Sequence, residues 1–533
     1  MVRRYALLTV LCLALYLPGI AAIPPLDRDE ARFAQASRQM LESGDFLDIR
    51  FQDEARNRKP AGIYWLQAAA AALVSTPQSA AIWPYRLPSL FGATAAAWLV
   101  LGLGQALLRE AGIAAPERTA FIAATLLAAA LAAVAEAHIA KTDAALLAAT
   151  AAGQGTLGLA YLRRRNGAAV PATLAAGFWA AETAAVLLKG PVGPALAGVT
   201  AAALSLADRD WRWLGGLRPL RGLLAMAAAV MPWLVAIEIA TSGRFLAESL
   251  AGDLAGKLAG AQESHGAPPL SYAVLSLATF WPGSYLLVPA LSRGWQGRRL
   301  PLERLLLCWL LPAWAALELV PTKLPHYALP LYPALALLAA LALAEGRTPT
   351  GWVRRADLAV KALWLLIGLG LAAALIAVPP AFAGRVSPAG IAGAVVLLAG
   401  IAWAWRKPLA LPLLSVVLAG AGAAVLPGLD RLWLSRSAAA LVAAHPAPGL
   451  PVAVGYGEPS LVFLLGTGLR LAGPEAAAAG LEPGGEALVA GADDAAFRQA
   501  LAARGLAPQP LGSVSGLDYS NGKAMTLTLY GVK

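Results

Sequence analysis

The strongest constraint on this chain is a succession of apolar runs, each near the ~20 residues a helix needs to cross the ~30 Å hydrocarbon core of a bilayer. About thirteen are legible, at 5–23, 86–108, 119–135, 143–161, 170–188, 190–207, 219–239, 270–291, 303–320, 326–344, 357–378, 387–405 and 409–427. Of 533 residues, 59% are hydrophobic and 14% charged, too little polarity for a soluble globule of this length. Lipid offers backbone groups no water to pair with, so such runs fold as helices. The expected fold is an all-α polytopic membrane domain with interfacial helices over residues 1–430. A composition change after Gly428 marks a second unit over 431–533. There, strand-like runs at Val452–Gly455, Ala487–Ala490 and Met525–Tyr530 and a helical run at Asp493–Arg504 predict a small α/β domain.

Charge sets the expected topology. The net charge of +11 does not point to nucleic acid, because the bases sit in short clusters between apolar runs. With the N-terminus cytoplasmic, five clusters fall on the cytoplasmic side: Arg163–Arg165, Arg209–Arg221, Arg293–Arg304, Arg347–Arg355 and Arg406-Lys407. That holds only if Ala61–Ser75 does not span; it is read as an interfacial helix with Tyr64 and Trp65 at headgroup level. The apolar run after Arg3-Arg4 is read as an uncleaved first helix rather than a signal peptide. Cys12 and Cys308 lack a CxxC partner, so no disulfide framework is expected. Loops 24–85, 136–143, 241–269 and 321–327 then gather on one outer face with the C-terminal domain.

Those loops carry the chemistry-bearing side chains. Asp27, Asp29 and Glu30 open a helix that Gly44 should close; Asp27-x-x-Glu30 fits a capping box, and Asp29 and Arg32 share a face. Arg58-Lys59-Pro60 follows. Glu136, His138, Lys141 and Asp143 crowd one membrane edge, where ionisable groups are costly and need partners. Lys189-Gly190-Pro191 joins two spans; its lysine either snorkels or meets a phosphate. Glu248, Asp253, Lys257 and His265 occupy another loop without HxxxH or HxxE spacing, so no metal is expected there. Lys323 to Tyr327 lies in a proline-broken stretch whose freed backbone groups require a protein-lined or wet cavity. Glu182, Glu238 and Glu318 are read as buried hydrogen-bonded or helix-end acids.

The runs DEARFAQASRQMLESGDF from Asp29 and RKPAGIYW from Arg58 resemble the first extracytoplasmic loop of the aminoarabinose transferase and protein O-mannosyltransferase superfamily, membrane glycosyltransferases of the GT-C type. Lys141-Thr142-Asp143, Lys189-Gly190-Pro191, the Glu263–Pro269 run and Lys323–Pro330 are similar to later motifs of the same superfamily. The match covers about residues 5–430. One departure is Arg58, which stands where the family pattern has an acid, and that weakens any carried-over metal site.

The resemblance implies an inverting transfer of a sugar from a polyprenyl phosphate to a lipid or envelope-glycan acceptor, lipid A-like, on the periplasmic face of a bacterial inner membrane. Asp29 would act as general base or orient the acceptor, with Asp143 in support. Arg32, Lys59, Lys189 and Lys323 would bind the donor phosphate, and Glu30, Tyr64, His265, His326 and Tyr327 would contact substrate. No cofactor is expected, and the protein is expected to act as a monomer among membrane lipids. The competing class is a transporter or lipid flippase, for which inverted repeats and mid-membrane breaks are the expected signs; here breaks and charges crowd one face.

Overall fold

The computed structural model describes residues 2–26, 28–249, 266–346 and 349–533. Among the described residues, seven helices are long and apolar enough to cross a membrane, or nine if two sharply bent pairs each count as one span. The other four apolar runs form helices that fall short of that measure: Val2–Tyr16, Ala172–Lys189, Val192–Asp208 and Pro301–Leu319, of 15, 18, 17 and 19 residues. The result is a polytopic helical membrane domain. The run at 61–75 becomes a 13-residue helix, Gly62–Val74. At 1.5 Å per residue it is about 20 Å long, too short to cross.

Five elements position the site. We label them α1 (Arg28–Ser43), α2 (Trp83–Glu110), α3 (Leu131–Ala137), α4 (Asp143–Arg165) and α5 (Ala172–Lys189). Gly44 ends α1 as the sequence suggests, with a left-handed φ of +73° and its N–H on the Met40 carbonyl. Asp27 lies outside the described residues. Helices α2 and α4 run in close contact because Gly92 has no side chain: a Cβ there would come 2.7 Å from the Ala145 backbone. Helix α3 follows a 61° bend after Ala129 and leads into the loop that starts α4 at Asp143.

That loop is pinned from two sides. Ser89 Oγ on α2 donates to the Ile139 and Lys141 carbonyls at 2.7 and 3.2 Å. The Ala140 N–H donates to Glu30 Oε1 at 2.9 Å. Glu30 in turn meets Arg86 in a fully buried pair, Nε–Oε1 2.7 Å and Nη2–Oε2 3.0 Å. Arg86 spends its remaining donors on the carbonyls of Ile20, Ile23 and Pro24. The Leu26 N–H completes Glu30 at 2.6 Å. Both charges are thus matched by hydrogen bonds, as burial demands.

The C-terminal residues form a five-stranded sheet: β1 (Val452–Val454), β2 (Arg470–Ala472), β3 (Glu486–Ala490), β4 (Pro508–Asp518) and β5 (Lys523–Val532). Its order is β2-β1-β3-β5-β4; β1 is parallel to β2 and β3, and β5 is antiparallel to β3 and β4. Helix α6 (Pro459–Leu465) docks this unit onto α1. Arg38 Nη1 donates to the Phe463 carbonyl at 2.7 Å, while the Phe463 ring packs edge-on to Tyr85. Gln35 and Glu42 both bond Thr467, and Gln52 reaches the Leu469 carbonyl. The face of α1 toward the membrane helices is apolar: Phe33, Ala36 and Met40 pack with Tyr64 and Leu146. Helix α1 is therefore clamped between the two units.

Glu30→Ala would leave Arg86 charged and buried with one partner gone, a change worth about 3–5 kcal/mol. Thermal unfolding in detergent should show a marked fall in melting temperature. An unchanged melting temperature would remove this pair from its structural role.

Candidate active site

A cavity of about 740 Å³ opens where α1, the loop 56–59, α3, the start of α4, the end of α5 and the 322–327 segment converge. Asp29, Arg32, Lys59, Asp143, Lys189, His326 and Tyr327 all line it. Asp29 sits at the start of α1, half of its side-chain surface open, with Arg32 Nη1 at 3.5 Å and Arg56 Nη2 at 3.7 Å. Burial pushes its carboxyl upward, but Arg56, Lys141 and Arg32 together outweigh that and hold it below the usual carboxylate range. Arg56 is itself fixed over the Phe33 ring, with its Nε donating to Tyr64 Oη at 3.2 Å.

Asp143, which lines the same cavity, is buried, and Lys189 Nζ donates to its Oδ1. The same ammonium lies 5.2 Å from the centre of the Tyr327 ring. His326 stands between two acids: Nδ1 is 3.5 Å from Glu136 Oε1, and Nε2 is 3.8 Å from Asp143 Oδ2. Thr322, also on the wall, pairs with Gly266 in an isolated antiparallel bridge, which brings the segment after His265 to the rim. His265 lies outside the described residues, as do Asp253 and Lys257.

Three expected site residues are placed elsewhere. Glu30 does not reach substrate space; its carboxylate is consumed by Arg86 and two backbone N–H groups. Lys323 does not line the cavity: Nζ donates to the carbonyls of Glu318 and Val320, capping the end of the Pro301–Leu319 helix. Tyr64 is buried and stacked on Phe33, and its hydroxyl accepts from Arg56 Nε. In each case a neighbour that spacing cannot show claims the polar atoms.

The cavity also holds bases beyond the expected site residues. Arg28, Arg56, Arg58 and Lys141 join its wall, giving among the described residues seven cationic side chains with Arg32, Lys59 and Lys189 against three carboxylates, Asp29, Glu136 and Asp143. The signal was present in the density of bases over 50–59, but not their convergence. Tyr519 and Ser520, from the turn between β4 and β5, line it too. Nothing in the sequence near them marks that role. Among the described residues no group of three or more His, Cys, Asp or Glu side chains is arranged to hold a metal ion.

Fold and site together define a polytopic membrane protein with a cationic, carboxylate-bearing cavity at one end of its helices, roofed in part by an α/β domain. The fold is shared with ArnT from Cupriavidus metallidurans bound to undecaprenyl phosphate: TM-score 0.73 at 20% identity, covering 98% of this chain and 97% of that one. The apo oligosaccharyltransferase of Archaeoglobus fulgidus is a more distant match, with TM-score 0.51 and 14% identity over 91% of this chain and 66% of that one. In sequence the chain is similar to the undecaprenyl phosphate-alpha-4-amino-4-deoxy-L-arabinose arabinosyl transferase of Pectobacterium carotovorum, 28% identical over 363 residues. That match spans 65% of this chain and 59% of the relative's length. No family model matches the chain.

Because the Arg56 charge is the largest single contribution lowering the Asp29 carboxyl, Arg56→Met should raise it. Above its ordinary pKa of about 3.9 Asp29 is ionised, and its depressed pKa carries that charge to lower pH still. The acid limb of any activity that needs the charge should therefore move to higher pH in Arg56→Met. A pH–rate profile with an unmoved acid limb would show that Asp29 ionisation does not govern the rate.

Proposed function

We propose that the cavity transfers a sugar from a polyprenyl phosphate to an acceptor at the membrane surface. The observation that carries this reading is the excess, among the described residues, of seven cations over three carboxylates in one cavity on a membrane-embedded fold. Such a site suits an anion carried on a lipid. The resemblance to aminoarabinose transferases supports it, as does the fold shared with ArnT. The reading places the protein in a bacterial inner membrane with the cavity and C-terminal domain periplasmic.

In the reaction the bond between the anomeric carbon and the phosphate oxygen breaks, its electron pair leaving with the polyprenyl phosphate. An acceptor oxygen bonds to the opposite face of that carbon, inverting it. In this reading Lys59, Arg58 and Lys189, all lining the cavity, stabilise charge on the departing phosphate, usually the largest single contribution to catalysis. Asp29, held below the usual carboxylate range, is a weak base. Its geometry suits holding Arg32 and Arg56 toward an acceptor that is already ionised, such as a phosphate, which has no proton to give up. With a hydroxyl acceptor, the proton would pass to Asp29 or Asp143. His326, between Glu136 and Asp143, orients those two carboxylates.

The test uses purified protein in liposomes with labelled polyprenyl-phosphate sugars and envelope lipid acceptors. Wild type should transfer label, Lys59→Ala should lose about 100-fold in rate, and Asp29→Asn should lose transfer while still binding polyprenyl phosphate. Movement of donor across the bilayer with no transfer from any donor would overturn the enzyme reading in favour of a flippase.

A further inference from the structure

We infer that the turn between β4 and β5, through Tyr519 and Ser520, is a carbohydrate subsite that receives a sugar ring of one of the two substrates. The inference rests on the glycosyl-transfer reading above. Tyr519 and Ser520 are 490 residues or more from Asp29 in sequence, yet they line the same cavity. They enter it from the sheet unit, across α1 from the membrane helices. A lipid-linked substrate has its tail in the bilayer, so the part that meets this wall is its polar end.

The turn is built to be rigid. Asp518 Oδ1 accepts from the Ser520 N–H at 3.0 Å, Oδ2 from Asn521 Nδ2 at 2.7 Å, and its carbonyl from the Gly522 N–H at 2.7 Å. Ser520 Oγ donates to Glu458 Oε1 at 2.5 Å, and the same carboxylate oxygen lies 3.9 Å from Arg28 Nε, one residue before Asp29. Tyr519 Oη donates to Ser460 Oγ at 3.0 Å, and Ser460 continues through Ser435 to Tyr456 in a line of buried hydroxyls. The aromatic ring is therefore held in one place before any ligand arrives, which lowers the ordering cost of binding.

Among the described residues, the cavity wall elsewhere carries seven cations suited to phosphate, and its Phe33 and Tyr327 rings already lie against Arg56 and Lys189. Tyr519 and Ser520 offer different chemistry: an aromatic surface for the C–H face of a pyranose, and a hydroxyl oxygen that can still accept from a sugar O–H. A few well-placed polar groups beside an aromatic wall are what orient a small polar ligand in a pocket. Glu458 is a positioning residue: it ties the turn to Arg28 and so sets the subsite's distance from Asp29.

The experiment compares wild type, Tyr519→Ala and Tyr519→Phe as full-length protein in liposomes, measuring KM separately for donor and acceptor, and binding of sugar-free polyprenyl phosphate. Tyr519→Ala should raise one KM by roughly 3–10-fold, the range of an aromatic contact, with Tyr519→Phe recovering most of the loss because it keeps the ring. A rise in the donor KM assigns the subsite to the donor sugar, and a rise in the acceptor KM assigns it to the acceptor. Sugar-free polyprenyl phosphate should bind equally to all three. Unchanged values of both KM in an active Tyr519→Ala protein would overturn the subsite alone. An equal loss of sugar-free phosphate binding would also overturn it, by showing a general loosening. A wild type that transfers no sugar would bring down the glycosyl-transfer reading and the subsite with it.

Discussion

The architecture of the site depends on one buried ion pair, Glu30 with Arg86. It joins four pieces of chain: the segment after the first helix, the start of α1, the start of α2 and the loop before α4. Two of those pieces carry Asp29 and Asp143, two of the carboxylates that line the cavity. Taking two charges out of water is costly, and a hydrophobic pair of the same volume is often no less stable. What an apolar pair lacks is direction. Arg86 addresses three carbonyls and a carboxylate at once, and Glu30 receives two backbone N–H groups, so the pair sets where both loops begin.

The second constraint is that charges inside the cavity are shared rather than isolated. Arg32 and Arg56 face Asp29, Lys189 faces Asp143, and His326 faces Asp143 and Glu136. Asp29 and Asp143 are each offset by a permanent cation, and the surplus bases leave the cavity positive. A site of this kind is ready for an anion without rearranging, because the dipoles and charges that greet it are already held by the fold. The C-terminal unit belongs to the same design: through Phe463 and Thr467 it presses on α1, the helix that carries Asp29 and Arg32.

Much of this was legible in the chain. Apolar length announced the membrane helices, and Gly44 announced the end of α1. The strand-like runs after Gly428 announced the sheet, and the motif residues Asp29, Arg32, Lys59, Asp143, Lys189, His326 and Tyr327 do meet in one cavity. The misplacements share a cause. Glu30, Tyr64 and Lys323 have the right chemistry and neighbourhood for substrate, but their polar atoms are spent on Arg86, Arg56 and two helix-end carbonyls. Spacing reports which residues are near in sequence, not which partner wins a side chain.

By itself, then, the sequence determined that the chain is a bundle of membrane helices with a polar end and a separate small sheet, because apolar periodicity and turn chemistry act over tens of residues. The tertiary structure alone decided which charges face the cavity, which are consumed in holding it, and that a turn some 490 residues from Asp29 lines the same wall. Those outcomes depend on burial and on competition among hydrogen-bond partners drawn from distant segments, and such competition is settled only when the chain has folded.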